Sequence, residues 1–62
     1  MEDLKAKFAL KYANLPDGSR DEIIAVIKSE PYTWRSARIE IDNNTIIGIE
    51  ILEFLCKSEI IQ

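Results

Sequence analysis

The last third of this sequence constrains the fold most, because it reads as a helix that is apolar around most of its circumference. Residues turn by about 100° each in a helix, so apolar residues at nearly every angle cannot all face one small core. The apolar positions are Ile46, Ile47, Gly48, Ile49, Ile51, Leu52, Phe54, Leu55 and Cys56. Only Glu50, Glu53 and Lys57 form a polar stripe, which is narrow. We place this helix at residues 45–57, capped by Thr45 or Asn44, and expect part of it to contact a partner.

The length of the chain, 62 residues, allows one domain. A domain this short buries only about 60% of the surface that its unfolded form exposes, so its stability is marginal without a disulfide, a metal or a second subunit. Cys56 is the only cysteine and the chain has no His, so an internal disulfide cannot form and a zinc site lacks ligands. Self-association remains, and we predict a homodimer with Ile49, Leu52 and Cys56 at its interface.

The start of the chain predicts a first helix, because large apolar residues recur there every three or four positions. These residues are Leu4, Phe8, Tyr12 and Leu15. Alternation of apolar residues with three lysines also fits a strand, but the propensities favour the helix. The helix should end in residues 14–18, a run that combines the residue types that turns require.

Residues 23–27 form an apolar run in which four of five residues are β-branched, which predicts a short buried strand. The capping-box spacing of residues 19–22 leaves a helix through Lys28 as the alternative.

Residues 37–42 alternate apolar and charged side chains, which predicts a half-buried strand. A hairpin of the two strands would then be joined through residues 28–32. The alternative is a helix capped by Thr33. Its buried face would contain Trp34, Ala37 and Ile41.

These elements predict a small α+β domain in the order helix, strand, strand, helix, with the C-terminal helix packed on a β-hairpin. The alternative is an all-α bundle of three or four short helices. Gly48 lies inside the last helix, where glycine costs up to about 1 kcal/mol relative to alanine. We infer that another backbone packs closely against it, either the sheet or a second subunit.

The residue types that carry most enzyme chemistry are missing from this sequence. Without His no Ser-His or Cys-His pair can form, and the two glycines cannot build a phosphate-binding loop. The paired carboxylates fall on faces expected to be solvated. We expect no catalytic residues, cofactor, metal or small-molecule substrate, and we expect a non-enzymatic module for protein–protein interaction.

Nucleic-acid binding is the alternative function, and it would use Tyr32, Trp34, Arg35 and Arg38. On a strand, Tyr32, Trp34 and Arg38 would share one face and could stack on bases. The net charge of −3 argues against this function, because phosphate binding depends on an excess of Lys and Arg. The other interpretation is that Tyr32 and Trp34 complete a small core that has few aromatic residues.

The run Glu30-Pro31-Tyr32-Thr33-Trp34, followed by Ile39-Glu40-Ile41, Asn44-Thr45, Gly48 and Glu50-Ile51-Leu52, resembles small archaeal proteins of uncharacterised function. The resemblance covers the second half of the chain and implies no catalytic or ligand-binding residue. It agrees with a composition of 31% charged residues and no His that is typical of thermophiles. The first residues lack the hydrophobic run of a signal peptide or membrane span, so we expect a cytoplasmic protein with no membrane contact.

Overall fold

The computed structural model describes residues 2–61 and shows helices packed with one β-hairpin. The elements in chain order are α1 (Glu2–Ala13), a 3-10 turn (Asp17–Asp21), β1 (Ile23–Ile27), β2 (Glu30–Thr33), α2 (Trp34–Asp42) and α3 (Ile46–Lys57). The two strands pair antiparallel, and α3 packs against both β1 and α2. The structure therefore confirms the small α+β domain with its C-terminal helix on a hairpin.

The first helix forms where the apolar spacing predicted it. Phe8 and Tyr12 are buried, and Leu4 and Leu15 pack against the same core. The helix ends at Ala13, before the turn-forming run that contains Pro16. The core contains Phe8, Tyr12, Ala25, Ile27, Trp34, Ala37, Ile41, Ile51, Leu52, Leu55 and Ile61.

The hairpin is tighter than the sequence predicted. Its first strand, β1, lies at the predicted residues 23–27, but the loop contains only Lys28 and Ser29. Both loop residues have positive φ, 51° and 70°, the backbone of the two-residue turns that match the twist of paired strands. The second strand is therefore Glu30–Thr33, and residues 30–32 of it lie in the segment predicted to be the connection.

The prediction of a strand at residues 37–42 is wrong, because these residues belong to α2. Thr33 caps this helix: its Oγ1 accepts a hydrogen bond from Ser36 N at 3.1 Å, while Ser36 Oγ accepts one from Thr33 N at 2.8 Å. The buried residues of α2 are Trp34, Ala37 and Ile41, the face named in the helical alternative. The sequence of residues 34–42 fits both the spacing of a helix and the alternation of a strand, and the cap at Thr33 favours the helix.

The last helix, α3, begins at the predicted cap. Thr45 Oγ1 accepts a hydrogen bond from Gly48 N at 2.9 Å. Gly48 faces the C-terminal end of α2, where an added Cβ would lie only 2.6 Å from the carbonyl oxygen of Glu40. The close backbone inferred from this glycine is therefore that of α2, and neither the sheet nor a second subunit is needed to explain it.

Candidate functional site

The interface predicted on α3 is only partly accessible. Leu52 is 2% exposed and belongs to the core, so the prediction that it lies at the interface is wrong. Ile49 remains 42% exposed, and Cys56 is half-buried beside it on the same flank of the helix. The buried face of α3 contains Gly48, Ile51, Leu52 and Leu55, so the apolar residues divide into a core face and two flanks.

The second apolar flank of α3 lies on the opposite side of its core face and carries Phe54, a partly exposed residue. Ile46, at the start of the helix, is also exposed, within the stripe that Glu50 and Glu53 mark as polar. More of the apolar surface of α3 is therefore covered by the domain than the sequence indicated, but each flank keeps exposed apolar side chains.

The predicted nucleic-acid segment is divided between the core and the surface. Trp34 is 6% exposed and packs against Phe8, with ring centroids 5.5 Å apart, so it cannot stack on bases. The prediction that Trp34 shares a strand face with Tyr32 and Arg38 is wrong, because Trp34 is the first residue of α2. Tyr32 is half-buried on β2. The interpretation of Trp34 as a core residue is confirmed.

The two arginines of this segment are held in ion pairs with aspartates. Arg35 Nε donates to Asp21 Oδ1 at 2.8 Å, and this hydrogen bond raises the pKa of the Arg35 guanidinium. The pKa of Arg38 is raised in the same way, first by its interaction with the Tyr12 side chain and then by Asp42, whose Oδ2 accepts a hydrogen bond from Arg38 Nε at 3.3 Å. Both side chains therefore stay charged, but each charge is balanced by a neighbouring carboxylate.

A cleft of about 570 Å³, here called the Tyr12 cleft, separates α1 from the 3-10 turn and α2. The guanidinium carbons of Arg20 and Arg38 lie 4.5 and 4.7 Å from the centroid of the Tyr12 ring. Arg20 also donates to the backbone oxygen of Tyr12 at 3.2 Å and pairs with Asp17 at 3.3 Å. These contacts join α1, the turn and α2, so the arrangement explains how the three elements are held together.

The charges around the Tyr12 cleft are nearly balanced. Its lining includes the cations Lys5, Arg20 and Arg38 and the anions Glu2 and Asp42. With Asp17 paired to Arg20, three positive groups meet three negative groups. Among residues 2–61, the lining of the cleft therefore has no excess of either charge that would select an ionic ligand. Arg20 is not predicted as a site residue, because nothing in the sequence pattern indicates that it covers the Tyr12 ring.

A shallow groove of about 370 Å³ runs between β1 and α3, and we call it the β1 groove. Its lining residues are Val26, Ile27, Lys28, Glu50, Glu53, Phe54 and Lys57. Lys28 Nζ lies 3.8 Å from Glu50 Oε1. Val26 on the β1 side of the groove is 55% exposed, and Phe54 on the α3 side is 38% exposed. The sequence predicts residues 23–27 as a buried strand without a functional role, whereas Ile23 and Val26 are exposed in the structure.

Within residues 2–61, no three or more His, Cys, Asp or Glu side chains are grouped so as to hold a metal ion. In the same range, no helix is long and apolar enough to cross a membrane. No family model matches the chain, and no curated protein or solved structure has significant similarity to it.

Proposed function

We propose that this protein is a non-enzymatic interaction module that forms a homodimer. The observation that carries the proposal is the exposure of large apolar side chains over a domain with a small core. These side chains are Leu10, Ile23, Val26, Ile39, Ile46, Ile49 and Phe54. Several of them lie on β1 and α3, the two elements that form the β1 groove. Where such side chains come together in one patch, the patch typically marks a contact site, and Val26 and Phe54 both line this groove.

The size of the domain gives self-association a physical reason. A typical stable interface buries about 800 Å² per partner, about a fifth of the 4089 Å² that this chain exposes. Burial on that scale would add apolar contact to a core that is limited by the chain length. With 12 residues, α3 is about 18 Å long and about 10 Å across, so one flank of it provides less than this area. The proposed contact surface therefore extends over a neighbouring element.

A cytoplasmic location is part of this proposal. The one cysteine of the chain, Cys56, has no intrachain partner with which to form a disulfide, and a free thiol of this kind suits a reducing compartment.

Light scattering over a wide dilution series tests the proposal. We expect a mass of twice the 7.1 kDa of the chain at high concentration, falling toward the single-chain mass on dilution. The dimer should persist at high salt, because apolar contacts are not screened as surface charges are. A single-chain mass at every concentration would refute self-association, and a dimer seen only at low salt would refute its apolar basis.

Nucleic-acid binding remains the alternative proposal. Its support is reduced to Tyr32, Arg35 and Arg38, since Trp34 is in the core and both arginines are paired with aspartates. The net charge of −3 also argues against nucleic-acid binding, because the phosphates of a nucleic acid are negative.

A further inference from the structure

The outer edge of β1 has no backbone partner in the described part of the chain. The sheet has two strands, so β1 pairs with β2 on one side only. Within residues 2–61, the backbone hydrogen bonds outside the helices and the hairpin involve none of the residues Ile23–Ile27. A two-stranded sheet is marginal by itself, and an open strand edge is a template for pairing with another chain.

The two edges of the hairpin differ in their protection. Pro31 lies opposite Val26 and has no N–H to donate. In a hairpin with a two-residue loop, the residues that flank the loop, here Ile27 and Glu30, exchange backbone hydrogen bonds with each other. Hydrogen-bonded and non-hydrogen-bonded pairs alternate along antiparallel strands, so the next pair, Val26 and Pro31, is not hydrogen-bonded. The N–H and C=O groups of Val26 therefore point to the outer edge of β1. Proline blocks the edge of β2, whereas β1 contains neither proline nor a charged residue.

An irregularity in β1 increases the exposed apolar surface of the hairpin. Ile23 pairs with Thr33 and Ala25 pairs with Tyr32, so Ile24 is an extra residue in the strand. Because Tyr32 and Thr33 are consecutive, Ile23 and Ala25 point to opposite faces of the sheet. Ala25 faces the core, and Ile23 shares the solvent face with Val26. Their exposed fractions are 63% and 55%.

The β1 groove beside this edge suits a second copy of the same chain. A two-fold contact places the same patch on both sides, so a patch with a large net charge would repel itself. The groove contains two lysines, Lys28 and Lys57, and two glutamates, Glu50 and Glu53, which balance although the whole chain carries −3. One oxygen of Glu50 is also buried without a hydrogen-bond partner among the described residues. Val26 and Phe54 add exposed apolar surface, so charge repulsion does not oppose the contact of this groove with a second copy.

We propose that two copies pair antiparallel along the outer edges of β1, with the two-fold axis at Val26, to form a four-stranded sheet in the order β2-β1-β1-β2. The regular part of β1, residues 25–27, is centred on Val26. In this register Ala25 lies opposite Ile27 of the second copy, so the core faces of the two hairpins align. The inference rests on the proposed homodimer and identifies its contact surface.

Charge substitutions at Val26 test this surface. The register brings the two Val26 side chains together, so Val26→Lys and Val26→Glu each place like charges across the axis. Like charges at such a contact weaken association strongly, and we expect the dissociation constant to rise about a hundredfold or more for either variant alone. An equimolar mixture should form a heterodimer with one chain of each type. Light scattering and native mass spectrometry measure both results, and circular dichroism of each variant confirms the fold.

Two further variants distinguish this surface from others. Ile39→Lys adds the same charge at an exposed apolar position on α2 and should leave the dimer intact. Ile49→Glu changes the opposite flank of α3 and should also leave it intact.

A dimeric wild type whose Val26→Lys variant stays dimeric would overturn the edge pairing while the proposed function stands. Dissociation by Ile49→Glu alone would also overturn it, because the contact would then involve Ile49 and Cys56. Two folded Val26 variants whose mixture fails to associate would exclude the two-fold axis at Val26. A monomeric wild type would refute the proposed function itself.

Discussion

Replacement of Gly48 by alanine tests the packing of α3 on α2 most sharply. The new Cβ would lie 2.6 Å from the Glu40 carbonyl oxygen, 2.8 Å from the Glu40 carbonyl carbon and 3.0 Å from the Ile41 Cα. All three atoms are backbone, so no side-chain rotation relieves the contact. Thr45 Oγ1 also hydrogen-bonds to the Glu40 carbonyl oxygen at 3.2 Å, which ties this part of α2 to the start of α3.

Two opposing effects set the change in the free energy of unfolding that Gly48→Ala causes. Alanine in place of glycine stabilises a helix interior by about 1 kcal/mol. Overpacking costs about 1–3 kcal/mol, and the upper end applies here because the obstacle is the backbone of α2. The expected net loss in the free energy of unfolding is therefore about 2 kcal/mol. For a domain of this size, that loss lowers Tm by about 8–16 °C.

Guanidinium denaturation followed by circular dichroism, at one fixed protein concentration, measures the change. Gly18→Ala is the matched control, because an added Cβ at Gly18 has no neighbouring atom within 4 Å. We expect that control to be as stable as the wild type. A Gly48→Ala variant as stable as the wild type, or more stable, would refute the close approach of the two helices.

The remaining predictions concern the cap of α2 and two buried residues. Thr33→Ala removes the reciprocal hydrogen bonds with Ser36 and should cost about 1 kcal/mol in the free energy of unfolding, so an unchanged denaturation midpoint would argue against the cap. Leu52→Ala should cost about 2–5 kcal/mol, because Leu52 is in the core; a loss of association without loss of stability would return it to the interface. Trp34 should show blue-shifted fluorescence that acrylamide quenches poorly and oligonucleotides leave unchanged at low salt. A response on titration would revive the nucleic-acid proposal.

The elements that the sequence predicts well are those in which one pattern dominates. The spacing of Phe8 and Tyr12 has a period close to that of a helix, and the β-branched run of β1 favours a strand. The cap of α3 is Thr45, one of the two residues predicted for that position. In each of these segments, local propensity and burial favour the same structure, so the pattern is sufficient.

The second strand could not be predicted because its signals compete. Pro31 argues against a strand, yet it is tolerated because its missing N–H faces the open edge of the hairpin. Lys28 and Ser29 adopt positive φ although neither is glycine or asparagine, the residues that usually mark such a turn. Residues 37–42 alternate as a strand would, and only the cap at Thr33 shows that the helix is preferred.

The surface of the domain was harder to predict than its core. The sequence predicts that α3 has more apolar residues than one core face can cover. It does not show that Leu52 packs inside while Ile49 and Phe54 flank the buried face. The irregularity at Ile24, which turns Ile23 toward solvent, depends on the register between the strands and leaves no local signal. The β1 groove is therefore visible only after the hairpin and α3 are placed together.

Hydrogen exchange of the Val26 amide, followed by NMR, tests the pairing of β1 edges most directly. In a single chain this N–H faces the open edge, whereas in the proposed dimer it donates to the backbone of the second copy. The Ile27 amide, paired with Glu30 inside the hairpin, is the internal reference. We expect Val26 to be protected at concentrations where the dimer forms, and to lose that protection on dilution while Ile27 keeps it. Rapid exchange at Val26 in a dimeric sample would contradict the pairing.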